Sequence, residues 1–443
     1  MPTDTTHGAP MHGAPGAPTP RVKGAPTPGV KSVKTPRVRG GVDSPYAWFR
    51  MLVSIILGTV GSVGMWAVVL VIPTVQSEFG VDRADASLPY TLTMIGFALG
   101  NVIVGRVVDK LGITIPVIIA ALMLGVGFIS AAMTTSILHF AIIQGVLIGV
   151  GTATTFGPLI ADLSHWFNRR RGIAVAAAAT GNYLAGVVWP GPLDSFIRAE
   201  GWRTTYIGIG IFCLLTMIPL ALILTRRLPK GETAPSGKLS VPLQIGTVDL
   251  TPRMLQMMLV IAGICCCVAM SMPQVHLVAY CADLGFGVTR GAEMLSLMLA
   301  GGVISRLASG FIADYIGGIR TLLLGSVLQC LALFFYLPFD GLMSLYVVSF
   351  MFGLAQGGIV PSYAIIVREY LPAHEAGQRV GIVIMATISG MAFGGWLSGW
   401  IYDLTGSYQA AFMNGIAWNI VNIILIVMIL GRTRKPAAEP LAA

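Results

Sequence analysis

The sequence predicts an all-α integral membrane protein, with twelve transmembrane helices in two six-helix bundles. Three observations carry that prediction. Hydrophobic residues make up 55% of the 443 and charged residues only 11%, whereas a soluble domain carries about 25% charged residues. Unbroken apolar runs recur along the chain, each of the roughly 18 or more residues needed to cross a hydrocarbon core of about 30 Å. The second half repeats features of the first at a nearly constant offset. The short apolar–polar alternations of a membrane barrel do not occur.

Residues 1–45 are expected to form a disordered, basic cytoplasmic tail. Gly-Ala-Pro recurs there at 8–10, 13–15, 16–18 and 24–26, before a run rich in Lys and Arg, and such a composition buries too little apolar surface to fold. The tail has no apolar h-region, so it is not expected to be a signal peptide. Residues 46–228 form the N-terminal bundle, with spans predicted at 51–75, 88–108, 113–133, 137–159, 173–192 and 204–225. A polar central cytoplasmic loop, 229–253, separates it from the C-terminal bundle, 254–432. Spans there are predicted at 255–280, 294–312, 320–337, 342–367, 380–401 and 409–431, followed by a cytoplasmic tail at 433–443.

Lys and Arg set the orientation. Seven lie up to Arg50, and loops 2–3, 4–5, 6–7, 8–9 and 10–11 hold two, three, five, one and two. Three more follow the last span, which makes 23 on one side, while the opposite loops hold only Arg83, Arg198, Arg203 and Arg290. The positive-inside rule then places both termini in the cytoplasm and the chain in a plasma (bacterial inner) membrane. It also accounts for the formal net charge of +9 without a nucleic-acid partner. Six cysteines, three of them consecutive at 265–267, lie in or beside apolar segments with no C-x-x-C pair and no Cys/His ligand spacing. No disulfide framework, metal or cofactor is expected. No paired acids or nucleophile–base arrangement points to an enzyme.

One charge lies inside a span. Arg306 is eight residues before Asp314, roughly 12 Å into the helix at about 1.5 Å per residue. A cation at that depth costs about 2.5–3.5 kcal/mol on insertion scales and normally faces a bundle interior or a water-filled path. The sequence places no other charged side chain so deep.

The halves repeat. Gly105-x-x-x-Asp109-x-x-Gly112 follows span 2 and Gly310-x-x-x-Asp314-x-x-Gly317 follows span 8, an offset of 205. Pro158 answers Pro361 at an offset of 203, and Gly172, Gly181 and Gly186 answer Gly381, Gly390 and Gly395 at 209. Parallel six-helix repeats with a substrate site between them near the mid-membrane are a secondary-transporter architecture.

These loop motifs, with Arg106 and Lys110 in the first and Arg320 after the second, resemble the signature of the major facilitator superfamily over about residues 45–432. The resemblance implies the major facilitator fold. It also implies that Gly105, Arg106, Asp109, Gly112, Gly310, Asp314 and Gly317, with Arg169 and Arg170 nearby, act as a cytoplasmic latch. An acid at a helix end, held by dipoles and cations in one state and released in another, is a physically reasonable latch. Two further stretches are similar to the monocarboxylate transporter family. Asp43-Ser-Pro-Tyr46-Ala47-Trp48 enters span 1, with Ser44 and Pro45 where that family usually has glycines. Trp166-Phe167-Asn168-Arg169-Arg170-Arg171 precedes the small-residue surface of span 5.

In that family the arginine of helix 8 is the carboxylate anchor, and Arg306 matches it; a guanidinium offers a carboxylate paired donors in a planar fork. Many relatives carry an aspartate one turn earlier that is linked to proton coupling. Here that position is Gly302, which leaves proton symport open. His276 in span 7 is a candidate for proton handling or a structural histidine satisfied by a hydroxyl. Asn182 and Tyr183 in span 5 and Gln356 in span 10 are further candidates for the substrate site. The implied partners are a small organic anion, foremost a monocarboxylate, and in the family a proton, moved by alternating access. A carboxylate exchanger of the oxalate or formate type is the alternative, although span 11 lacks the second cation such exchangers use. A non-transporting sensor or scaffold on the same fold is another.

Overall fold

The computed structural model describes residues 42–167, 174, 177–226, 247–372 and 375–434. The expectations for the N-terminal tail, for Arg169 and Arg170 and for most of the central loop fall outside these residues, as does the Asp109 side chain. Among the described residues, eleven helical stretches are long and apolar enough to cross a membrane. One of them, Ala177–Ile223, turns at Gly201, whose φ of 80° and ψ of 160° interrupt the helix. Dividing it there makes twelve spans, and an even number puts both ends of the described chain on one face. We call this the tail face and its opposite the far face.

In order, spans 1 to 4 are Pro45–Phe79, Arg83–Leu111, Thr114–Ala132 and Ile137–Leu163. Spans 5 and 6 share Ala177–Ile223. Spans 7 to 12 are Pro252–Asp283, Val288–Ile316, Gly318–Phe335, Leu342–Tyr370, Ala376–Thr405 and Tyr408–Gly431. A two-residue antiparallel ladder pairs β1 (Thr247–Val248) with β2 (Thr433–Arg434).

The repeat extends into local geometry. Span 1 starts at Ser44-Pro45 and span 7 at Thr251-Pro252; each hydroxyl accepts an N–H three residues on, 3.3 Å to Ala47 and 3.3 Å to Met254. A capping hydroxyl followed by proline at the first helical position is a strong helix start. Spans 2 and 8 stop at Gly112 (φ 77°) and Gly317 (φ 84°), a conformation that glycine adopts without the penalty a Cβ incurs. Spans 4 and 10 both break before their prolines, at Thr155–Phe156 and at Gly357–Gly358.

The paired glycines have paired jobs. A Cβ at Gly181 would meet the Gly58 backbone of span 1, and one at Gly390 the Ile264 backbone of span 7. Gly186 packs against Trp66 and, across the halves, Leu299; Gly395 packs against Val275 and, across the halves, Tyr90. Small residues let backbones approach closely where there is no hydrophobic drive between helices.

The candidate substrate site

Between the halves lies a cavity of about 90 Å³, and Arg306 of span 8 projects into its lining. Proline chemistry explains how the arginine is held. The Gly357 carbonyl would accept from the N–H of residue 361 in a continuous helix, but residue 361 is proline and has none. Arg306 Nε donates to that carbonyl at 3.3 Å, while Nη1 donates across the halves to the Ala179 carbonyl at 2.9 Å. The guanidinium carbon stands 4.2 Å from the centre of the Tyr183 ring, a cation–π contact that is stronger where water is excluded. No carboxylate among the described residues pairs with Arg306, so its charge is met only by carbonyl dipoles and a ring face.

Gly302 belongs to this arrangement. A Cβ there would lie 2.5 Å from Tyr183 Cε1. The space that an acidic side chain would occupy one turn before the arginine is filled by the tyrosine ring.

The candidate residues divide. Asn182 and Tyr183 line the cavity with Arg306, and Asn182 Nδ2 also reaches Met65 Sδ at 3.0 Å. Gln356 is buried beside the cavity and does not line it; its Oε1 accepts 2.7 Å from Nε2 of Gln274, which does. His276, a candidate for proton handling or a histidine satisfied by a hydroxyl, does not line the cavity. Its Nε2 lies 2.8 Å from the Gly395 carbonyl and its Nδ1 3.2 Å from the Tyr408 hydroxyl, nearer the far face. Arg83 Nη1 donates to that same hydroxyl at 2.8 Å. The tyrosine proton is then left for Nδ1, and the imidazole carries its own proton on Nε2. Of the latch residues, Arg106 and Asp314 are exposed, and a Cβ at Gly105 or Gly310 would meet nothing within 4 Å. At those two positions glycine is not required by packing.

Sequence reasoning missed two charged clusters, and Arg306 is not the most buried cation. Arg50 is 2% exposed and Arg83 6%. Arg50 Nε and Nη2 fork onto Asp162 at 2.9 and 3.0 Å, Nη1 donates to the Leu224 carbonyl at 3.1 Å, and the guanidinium covers Trp166 at 4.6 Å. Around this fork the two signature stretches meet, Tyr46 on Trp166 (5.2 Å) and Trp48 edge-on to Phe167 (5.1 Å). The signature is therefore a packing unit at the tail face. Arg83, at the far face, crosses the halves. Its Nη2 reaches Asp283 at 3.2 Å, and Asp403 receives the backbone N–H groups of Arg83 and Ala84 at 2.8 and 2.7 Å. The offset repeat held the signal for Asp162, since 207 residues on stands Glu369, which accepts the Gly318 N–H at 3.1 Å.

Comparison with known proteins agrees with this architecture. A family model described as "Major Facilitator Superfamily" matches residues 54–344 and 294–443. "MFS-type transporter pynF" of Aspergillus niger is 24% identical over 65% of this chain and 65% of its own length. "Monocarboxylate transporter 13" of Bos taurus is 28% identical over 73% of this chain and 75% of its own. Among solved structures, a bacterial homolog to the human lysosomal transporter Spinster covers 89% of this chain and 99% of its own, with a TM-score of 0.67 at 12% identity. A point mutant of the nucleoside transporter NupG covers 86% and 99%, with a TM-score of 0.67 at 15% identity. These likenesses show the fold.

Proposed function

The chain belongs to the Major Facilitator Superfamily of transporters, and on that premise we propose that it is a secondary active transporter of small organic anions, foremost monocarboxylates. The observation that carries the proposal is Arg306, a cation lining the cavity between the halves without a carboxylate partner among the described residues. Leaving such a charge unmatched is costly, and an anion entering the cavity supplies the missing partner through paired donors. The named relatives include a monocarboxylate transporter, which agrees with the choice of anion.

Movement follows from the two halves as rigid bundles that rock about the site. Contacts joining them cluster at Arg306 and beyond it toward the far face: Tyr90 at Gly395, the Thr91 hydroxyl to the Ala392 carbonyl at 3.1 Å, and the Arg83 cluster. These contacts close the far side, and their release would open it. The excess of Lys and Arg on the tail face supports placing that face in the cytoplasm.

Exchange is a second mode that one observation favours over proton symport: none of the residues lining the cavity is Asp, Glu or His. With Gly302 beneath the Tyr183 ring, the arginine is neutralised by substrate alone, and the loaded carrier reorients more readily than the empty one.

The test is uptake of labelled lactate, pyruvate, acetate and oxalate into proteoliposomes, with and without an inward proton gradient, for wild type and Arg306→Lys. Monocarboxylate uptake that falls at least about tenfold in the lysine variant is expected, since lysine keeps the charge and loses the fork. Acceleration by internal anion identifies exchange; acceleration by the gradient identifies symport. No uptake of any acid by well-folded protein removes the carboxylate assignment.

A further inference from the structure

The cavity has polar atoms that the anchor does not use. Tyr90 is 1% exposed and Gln274 2%, and both line the cavity. Among the described residues the Tyr90 hydroxyl has no hydrogen-bond partner, and neither does Gln274 Oε1, although Gln274 Nε2 is tied to Gln356. Buried polar atoms without partners are rare, and each costs free energy unless something completes it. Here one is a donor and the other an acceptor.

The position of Tyr90 relative to Arg306 follows from the repeat, and Gln274 adjoins Val275, which meets Gly395 together with Tyr90. With the loop motifs aligned at an offset of 205, Arg306 of span 8 corresponds to position 101 of span 2, eleven residues past Tyr90. At about 1.5 Å per residue, Tyr90 sits roughly 16 Å nearer the far face. The Arg306 side chain, which leans toward its helix N-terminus, shortens that span but does not close it. The walls between are apolar and adaptable, with Met65, Met94 and Met270 among aromatic rings; methionine fits irregular apolar shapes.

We propose that Tyr90 and Gln274 form a second, uncharged subsite, and that the protein prefers an elongated monocarboxylate bearing a distal hydroxyl. The hydroxyl donates to Gln274 Oε1 and accepts from Tyr90, an apolar or aromatic body fills the methionine-lined middle, and the carboxylate reaches Arg306. A short acid held at Arg306 leaves the far pole empty. This rests on the carboxylate reading of Arg306, and the test separates the two.

Binding of 4-hydroxyphenylacetate and phenylacetate is measured on the purified full chain in nanodiscs, for wild type, Tyr90→Phe and Arg306→Lys. The wild type is expected to favour the hydroxylated acid by about tenfold, the scale of two completed hydrogen bonds between neutral groups, about threefold each. Tyr90→Phe keeps the ring against Gly395, removes one of the two hydrogen bonds and is expected to cut that preference about threefold, with residual phenylacetate binding showing that its cavity is intact. Arg306→Lys is expected to weaken both acids together. Equal wild-type affinities, or a preference undiminished by Tyr90→Phe, overturn the second subsite while leaving the anchor standing. Failure of both acids to bind, or binding indifferent to Arg306→Lys, overturns the anchor and the subsite with it.

Discussion

Arg83 and Arg306 are both arginines of the interface between the halves, and their surroundings are opposite. Arg83 meets Asp283 at 3.2 Å and Tyr408 at 2.8 Å, lies over the Tyr402 ring at 4.7 Å, and has Asp403 on its backbone N–H. Arg306 meets two carbonyls and a ring, with no counter-charge among the described residues. The difference teaches what each is for. A guanidinium with a carboxylate already in place is part of the architecture, and bringing an anion to it would mean displacing that carboxylate. A guanidinium held only by dipoles is oriented, incompletely neutralised and ready to accept an anion.

Arg50 sharpens the comparison, because it is as fully paired as Arg83 but within one half. Its fork onto Asp162 is buried on the arginine side and 16% exposed on the other. Arg50→Met is expected to show the largest loss of stability, about 3–5 kcal/mol, because it strands Asp162. Adding Asp162→Leu should recover most of that loss, and the thermal unfolding midpoint in detergent checks both. Neither change should alter the balance between far-side-open and far-side-closed states.

Arg83→Gln should do the reverse. Asp283 is 33% exposed, so losing its partner leaves a partly hydrated carboxylate, and the fold should hold. What weakens is the bond between halves. A charge-assisted hydrogen bond contributes about 1.5–3 kcal/mol, so the balance should shift toward a far-side-open state by roughly ten- to a hundred-and-fiftyfold. Spin-label distances across the far ends of spans 2 and 11 measure it. An unchanged distribution would show that Arg83 is merely packed there.

These contrasts were only partly legible in the sequence. Spans, their breaks and the two-fold repeat follow from apolar length, proline and glycine, which act locally, and the structure follows them closely. Arg306 stood out because a lone charge in an apolar run has one explanation to seek. Arg50 was counted with the basic tail and Arg83 with the far loops, because a charge near a helix end looks solvated until the partner is known. Their acidic partners lie 112 to 320 residues away. His276 stayed open for a related reason: the sequence offers proton handling or a histidine satisfied by a hydroxyl, and its Tyr408 partner is set by neighbours 132 residues away. Tyr90 and Gln274 carry no sequence signal at all, since their meaning comes from lacking partners in the folded state.

Gly302→Asp converts the Arg306 environment toward that of Arg83. The new Cβ would lie 2.5 Å from the Tyr183 ring, so the ring must move and its cation–π contact weakens, while the carboxylate competes for the guanidinium. Anion affinity should fall about tenfold. It should recover in acid, where the new carboxylate is protonated and releases the arginine. Binding measured across pH for wild type and variant checks this, and an affinity equal to wild type at every pH would mean that Arg306 does not hold the anion.

Tyr408→Phe tests the smallest element of the far-side lock. The hydroxyl accepts from Arg83 and donates to His276, whose Nε2 holds the Gly395 carbonyl beside Tyr90. Through this chain the charged lock touches the roof of the cavity. Phenylalanine keeps the ring against Tyr402 and leaves both carboxylates on Arg83, so only neutral and singly charged hydrogen bonds are lost. The expected shift toward the far-side-open state is about 1 kcal/mol, or roughly fivefold, well below that of Arg83→Gln. The same spin-label pair reads it. The double variant decides whether the hydroxyl acts through Arg83: a shift equal to that of Arg83→Gln alone places both residues in one unit, whereas a further shift of about fivefold would assign His276 and Gly395 a hold of their own on the closed far side.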